Sequence, residues 1–139
     1  MQKMFFLLIL CAFLTLSCQK DPKDPTAITF LLNSPFELKY GETSKDTVTM
    51  ISLSIDSIIN DSRCPADVIC VWEGNAEVQF IFSNSINQVK FILNTHPYFR
   101  SDSLINGYRI KLISLKPYLK TALDKKLEKY SAELKITKE

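Results

Sequence analysis

The sequence predicts an all-β fold: an antiparallel β-sandwich of immunoglobulin-like architecture, with a short helical segment before the last strand. Three observations carry this. Apolar and polar residues alternate over several short runs, the period of a strand with one buried face. Turn-forming residues such as Asn33-Ser34-Pro35 and Asn106-Gly107 separate those runs, at intervals typical of strand connections. The seven or eight short strands that result suit two packed sheets better than one open sheet covered by helices.

In chain order, Ala27–Leu32 and Phe36–Tyr40 read as two short strands. Val48–Ile59 is long and rich in β-branched residues. Its apolar phase shifts from Val48-Met50 to Ile51-Leu53-Ile55, which predicts a bulge or two strands. Ala76, Val78, Phe80 and Phe82 share one face, with Glu77 and Gln79 on the other. After the polar Ser83–Gln88, Val89, Phe91 and Leu93 alternate with Lys90 and Asn94, so the two runs should form a hairpin. The Asn106-Gly107 turn leads into Tyr108, Ile110 and Leu112, alternating with Arg109 and Lys111. The C-terminal segment is mixed. Leu119, Leu123 and Leu127 recur at helical spacing, whereas Tyr130, Ala132, Leu134 and Ile136 alternate with Ser131, Glu133, Lys135 and Thr137. A helical turn or two around Ala122–Lys129, then a final strand, reconciles both patterns.

The chain ahead of these strands has another character. Lys3 precedes an apolar run of 13 residues, Met4–Leu16, too short to span a bilayer but suited to a signal peptide. Thr15-Leu16-Ser17-Cys18 resembles the lipobox of bacterial lipoproteins, with Thr15 where an aliphatic residue is usual. The resemblance implies cleavage before Cys18 and acylation of its thiol. The alternative is an ordinary cleaved secretory signal with an incidental cysteine, and Cys11 leaves with the leader either way. One acyl chain holds a protein only marginally, at about 0.8 kcal/mol per buried CH₂; the several chains implied here would hold it permanently.

Gln19–Pro25 is charged, contains Pro22 and Pro25 and has no apolar residue, the composition of a solvated tether. Cys18-Gln19-Lys20-Asp21 is also similar to the surface-export signal of Bacteroidota lipoproteins. Asp46-Thr47-Val48, Asp56-Ser57-Ile58 and Asp102-Ser103-Leu104 resemble the O-glycosylation triplet of that phylum. The expected organisation is a signal peptide over 1–17, a lipidated cysteine and tether over 18–25, and one β-sandwich domain over 26–139. The expected location is the outer membrane, held there by the N-terminal lipid, with the external face of that membrane as the destination the export signal implies.

Without residues 1–17 the chain keeps 122 residues, enough for a core in one domain. Its 16 basic and 15 acidic side chains nearly balance, and acids interrupt the lysine-richer Lys116–Lys138 segment. A nucleic-acid partner is therefore not expected, since it would call for a clustered basic excess.

The most singular stretch is Asp61–Ala76. Cys64 and Cys70 are the cysteines left once the anchor is used. In an exported chain at this spacing they are expected to form a disulfide. Closing that small ring restrains the unfolded chain by only about 2 kcal/mol, so it shapes a loop more than it secures the fold. A metal site would need two further soft or imidazole ligands, and His96 is the single histidine. A redox role lacks both the Cys-x-x-Cys spacing and a following helix start.

Asp61-Ser62-Arg63-Cys64-Pro65, Cys70, Trp72, Gly74, Tyr108 after Gly107, and Pro117-Tyr118 together resemble a domain that recurs in uncharacterised exported bacterial proteins. The similarity covers roughly Phe36–Ile136 and implies a fold unit without an activity. Trp72 is expected to pack on the disulfide beneath a sheet, with Glu73-Gly74-Asn75 turning into the next strand; an exposed binding tryptophan is the alternative.

No catalytic residue, metal or cofactor is expected. His96 precedes Pro97, with Asp102 or Asp67 as imaginable partners, yet no Gly-x-Ser-x-Gly or similar motif positions a nucleophile. Asp61, Asp67 and Glu73 are expected to cap turns of the disulfide loop. Gly41, Gly74 and Gly107 fall at expected turns. Two functions remain open. One is a non-catalytic envelope module that binds or organises a protein or glycan partner. The other is a protease inhibitor presenting the braced 64–70 loop, with Pro65, Val68, Ile69 and Trp72 as candidate contacts. An exposed 65–69 loop favours the inhibitor; burial of Val68 and Ile69 under Trp72 favours a structural role.

Overall fold

The computed structural model describes residues 27–118 and 126–139. The expected signal peptide, Cys18 and the expected tether lie outside the described residues, as does the first half of the expected helical segment, 122–125.

Among the described residues, nine strands form two packed sheets. They are β1 (Ala27–Thr29), β2 (Pro35–Lys39), β3 (Thr43–Lys45), β4 (Ser52–Asp61), β5 (Ala76–Ser83), β6 (Gln88–Asn94), β7 (Asp102–Ile105), β8 (Tyr108–Lys116) and β9 (Ser131–Lys138). One sheet has the order β1-β3-β4-β5-β6 and the other β2-β9-β8-β7. Pairing is antiparallel except between β1 and β3. This is the β-sandwich that the period-two pattern predicts.

The inner faces supply the core. Ala76, Val78, Phe80 and Phe82 of β5 are fully buried and face Leu38, Ile110, Leu112, Ala132, Leu134 and Ile136 of the other sheet. The expected hairpin joins Phe80 to Phe91 and Val78 to Leu93. Asn106 and Gly107 both take positive φ, 51° and 79°, the geometry of a tight turn matched to strand twist; it joins β7 to β8.

Several expectations need correction. Val48 and Met50 belong to no strand. They are exposed in a turn that Asp46 closes by accepting the Thr49 N–H at 2.7 Å, and Met50 has φ 57°. The strand begins at Ser52, and its irregularities come later, beside Asp56 and Ile59. The expected strand Ala27–Leu32 ends at Thr29. The short helical segment, where it is described, is a single 3₁₀ turn over Leu127–Lys129. Strand β3, Thr-Ser-Lys, has no apolar residue to reveal it; its inward Ser44 donates to the Ile28 carbonyl at 3.2 Å.

Candidate functional site

The loop Ser62–Asn75 leaves one end of the sandwich between β4 and β5, and its root is set by strand parity. β4 carries extra residues relative to β5 at Asp56 and at Ile59. Each bulge inverts the in–out alternation, so the pair restores it and turns Asp61 inward, opposite Ala76. One bulge alone would point Asp61 at solvent.

Facing inward, Asp61 is gripped by Arg63. Nε donates to Oδ1 at 2.9 Å and Nη2 to Oδ2 at 2.8 Å, a bidentate fork. The Tyr130 hydroxyl donates to Oδ2 at 2.9 Å. Arg63 also donates from Nη2 to the Pro117 carbonyl at 2.8 Å and from Nη1 to the Leu115 carbonyl. Its guanidinium lies 5.0 Å from the centre of the Tyr118 ring, a cation–π distance. The Arg63 and Asp61 side chains are only 6% and 1% exposed. Burial works against the Asp61 charge, but the bonds from Arg63 and then Tyr130 outweigh it and hold the carboxyl below its usual range. Burial, reinforced by that carboxylate, pushes the Tyr130 hydroxyl up to about 12. Asp61 is thus a buried ion-pair member, where a simple turn cap was expected.

Above this root the loop has a narrow neck. Ser62 N donates to the Asn75 carbonyl at 2.8 Å and Cys64 N to the Glu73 carbonyl at 3.0 Å. Gly74 sits at φ 71°, and a Cβ there would lie 2.0 Å from the Ser62 carbonyl oxygen, so only glycine fits. The expected disulfide joins Cys64 to Cys70, with Cα atoms 5.9 Å apart. Asn75 ties the neck to the β6–β7 connection: its Nδ2 donates to Asn94 Oδ1 at 2.8 Å, and its Oδ1 accepts the His96 N–H at 3.1 Å.

The tip points into solvent. Val68, Ile69, Val71 and Trp72 are all exposed, Val71 at 93% and Trp72 at 81%; Pro65 is half-buried and accepts the Val68 N–H at 3.3 Å. The expectation that Trp72 packs on the disulfide beneath a sheet is therefore wrong. The loop prolongs the β4–β5 hairpin past the end of the sandwich, above the buried cluster of Asp61, Arg63 and Tyr130. Tyr98 and Phe99 of the β6–β7 connection and Tyr118 after β8 are exposed at the same end. Among the described residues, all four exposed aromatic rings belong to these three connections.

His96 does not meet its imagined partners. Its Nδ1 accepts the Tyr98 N–H at 3.3 Å, and its ring lies against Tyr98 and Phe99. Asp102 instead pairs with Arg109, which also holds Glu139, near the opposite end, while Asp67 is exposed on the loop. Among the described residues no three His, Cys, Asp or Glu side chains gather to hold a metal ion, and no helix is long and apolar enough to cross a membrane.

Sequence reasoning located Asp61, Arg63 and Pro117-Tyr118 as parts of one motif but missed Tyr130 as their partner. The available signal was a tyrosine at a core-facing strand position, whose hydroxyl must find an acceptor. No family model, curated protein or solved structure matches this chain significantly.

Proposed function

We propose that this chain is a non-catalytic, lipid-anchored envelope protein that makes contact through the loop-bearing end of its sandwich. The observation that carries this reading is the exposure of Val68, Ile69, Val71 and Trp72 on a loop whose root is buried and braced. Large apolar side chains at the surface of a soluble domain mark contact sites when they cluster, and a fixed loop loses little freedom on binding. The non-catalytic part draws support from His96, engaged by Tyr98, and from Asp102, engaged by Arg109. The anchor rests on the leader and Ser17-Cys18. The test is a photoreactive residue in place of Ile69 in intact cells, with Ile92 on the β6 surface as control. Adducts specific to position 69 are expected; equal labelling at both positions refutes the reading.

One observation favours protease inhibition as a second reading: the 65–69 loop is exposed and not covered by Trp72. Titration against serine and cysteine proteases tests it. Cleavage of the loop without slow release or inhibition refutes it.

A further inference from the structure

We infer that the loop-bearing end faces the bilayer that holds the chain's own lipid, with Val68, Ile69, Val71 and Trp72 seated in its interfacial layer. The inference rests on the reading of Cys18 as a lipidated anchor.

Strand direction carries it. β4 runs toward the loop, β3 is antiparallel to β4, and β1 is parallel to β3. β1 therefore runs away from the loop, with Ala27 at its loop-side end. Through Thr43, Ala27 is level with Ser54. Five ladder steps separate Ser54 from Asp61, about 17 Å at the usual rise per residue. The Ser62–Asn75 and Cys64–Glu73 pairs carry the neck further, placing the disulfide about 25 Å beyond Ala27. Nine residue steps lie between Cys18 and Ala27, a reach of at most about 30 Å. An anchor at Cys18 can thus lie in the plane of the loop tip.

The chemistry of the tip suits a bilayer. It is a convex protrusion of aliphatic side chains and an indole, and a fluid interface imposes no shape on what enters it. Trp72, Tyr98 and Tyr118 are the residue types that settle at headgroup level. Asp67 and Glu73, exposed on the same loop, hold the insertion shallow because a carboxylate is costly in hydrocarbon. Lys126 and Lys129, exposed on either side of Leu127 and Glu128, offer cations to anionic headgroups at that end.

Trp72 is the single tryptophan, so its emission reports on the loop alone. The lipidated full chain would be reconstituted into phosphatidylethanolamine–phosphatidylglycerol vesicles, and acylation of its N-terminal peptide checked by mass spectrometry. Expected are blue-shifted emission, quenching by lipids brominated near the headgroup end of the acyl chain, and weak quenching by acrylamide. The Val68→Ser, Ile69→Ser, Val71→Ser triple variant changes only exposed side chains and should restore acrylamide quenching and red-shift the emission. Acylated protein whose Trp72 stays open to acrylamide and untouched by brominated lipid overturns the orientation while leaving the anchor standing; that is also the result a protein partner at the loop would give. An N-terminus without lipid removes the anchor and the inference together.

Discussion

Asp61→Asn keeps the size of the side chain and removes the charge that Arg63 grips with two bonds. Deleting one member of a buried ion pair costs about 3–5 kcal/mol, because the other charge stays buried without compensation. Asparagine still offers one carbonyl oxygen, and the Leu115 and Pro117 carbonyls still accept from the guanidinium, so the expected loss is near the lower end, about 3 kcal/mol. That is a large share of the roughly 5–15 kcal/mol that holds a domain together, and corresponds to about 12 °C in Tm for a domain of this size. Urea unfolding should be followed by far-ultraviolet circular dichroism, because Trp72 stands outside the core and its emission does not follow the sandwich. Tyr130→Phe removes a further bond to the same carboxylate and should cost about 1.5 kcal/mol. The double variant should fall short of the sum of the two losses by about 0.5 kcal/mol or more, since both changes act on Oδ2. A loss below about 1 kcal/mol for Asp61→Asn, or strict additivity in the double variant, would refute the account of the loop root.

Three further outcomes follow from the same geometry. Asp61 is held below its ordinary 3.8, so its contribution is complete above that pH and is lost as pH falls through the lower folded value; Tyr130 is raised from 10.0 to about 12, so its contribution is complete below pH 10.0 and is lost as pH rises toward 12. Stability–pH curves of Asp61→Asn and Tyr130→Phe should be flatter than wild type in the acid and alkaline limbs respectively, and unchanged limbs would contradict the assignment. Gly74→Ala places a Cβ against the Ser62 carbonyl, whereas Gly41→Ala, at φ 83°, meets nothing within 4 Å; urea midpoints should show a loss of at least about 2 kcal/mol for the first and about 1 kcal/mol for the second, and equal losses would show that the neck gives way. Cys64→Ser with Cys70→Ser should lower stability by only about 2 kcal/mol while opening residues 65–72 to proteolysis, and a resistant loop would assign the bracing to Arg63 alone.

The sandwich was legible because its inner faces obey one rule: β5 alternates without exception, and β9 nearly so. The short edge elements were not. β3 has only Ser44 to turn inward, and three polar residues carry no periodicity. β4 was misread at its start because Val48 and Met50 are apolar residues in a turn, held there by Asp46 accepting from Thr49 with no help from burial. The Cys64–Cys70 bond was foreseen from its spacing together with the expectation of an exported chain. The root of the loop needed more. Asp61 and Tyr130 meet across 69 positions, and only after two bulges in β4 have set the parity of Asp61; nothing in Ser-Ile-Asp-Ser-Ile-Ile-Asn announces how many extra residues it holds. Trp72, expected to pack on the disulfide beneath a sheet, stands 81% exposed instead.

A buried ion pair is a poor device for stability alone, since well-packed apolar residues of the same volume serve as well or better. What Arg63 adds is registry. Its planar fork of donors joins the end of β4 through Asp61, the end of β8 through the Leu115 carbonyl, and the chain beyond it through Pro117, while Asp61 ties in the start of β9 through Tyr130. An apolar cluster could fill the same space without fixing any of these segments to within a hydrogen-bond length. The neck hydrogen bonds and the disulfide then carry that fixed frame outward to the tip. Without such a root, a loop bearing Val68, Ile69, Val71 and Trp72 would lower its free energy by folding its apolar side chains back onto the end of the sandwich. The buried Asp61–Arg63 pair and the disulfide-braced neck oppose that collapse, and Val71 and Trp72 stand exposed above them.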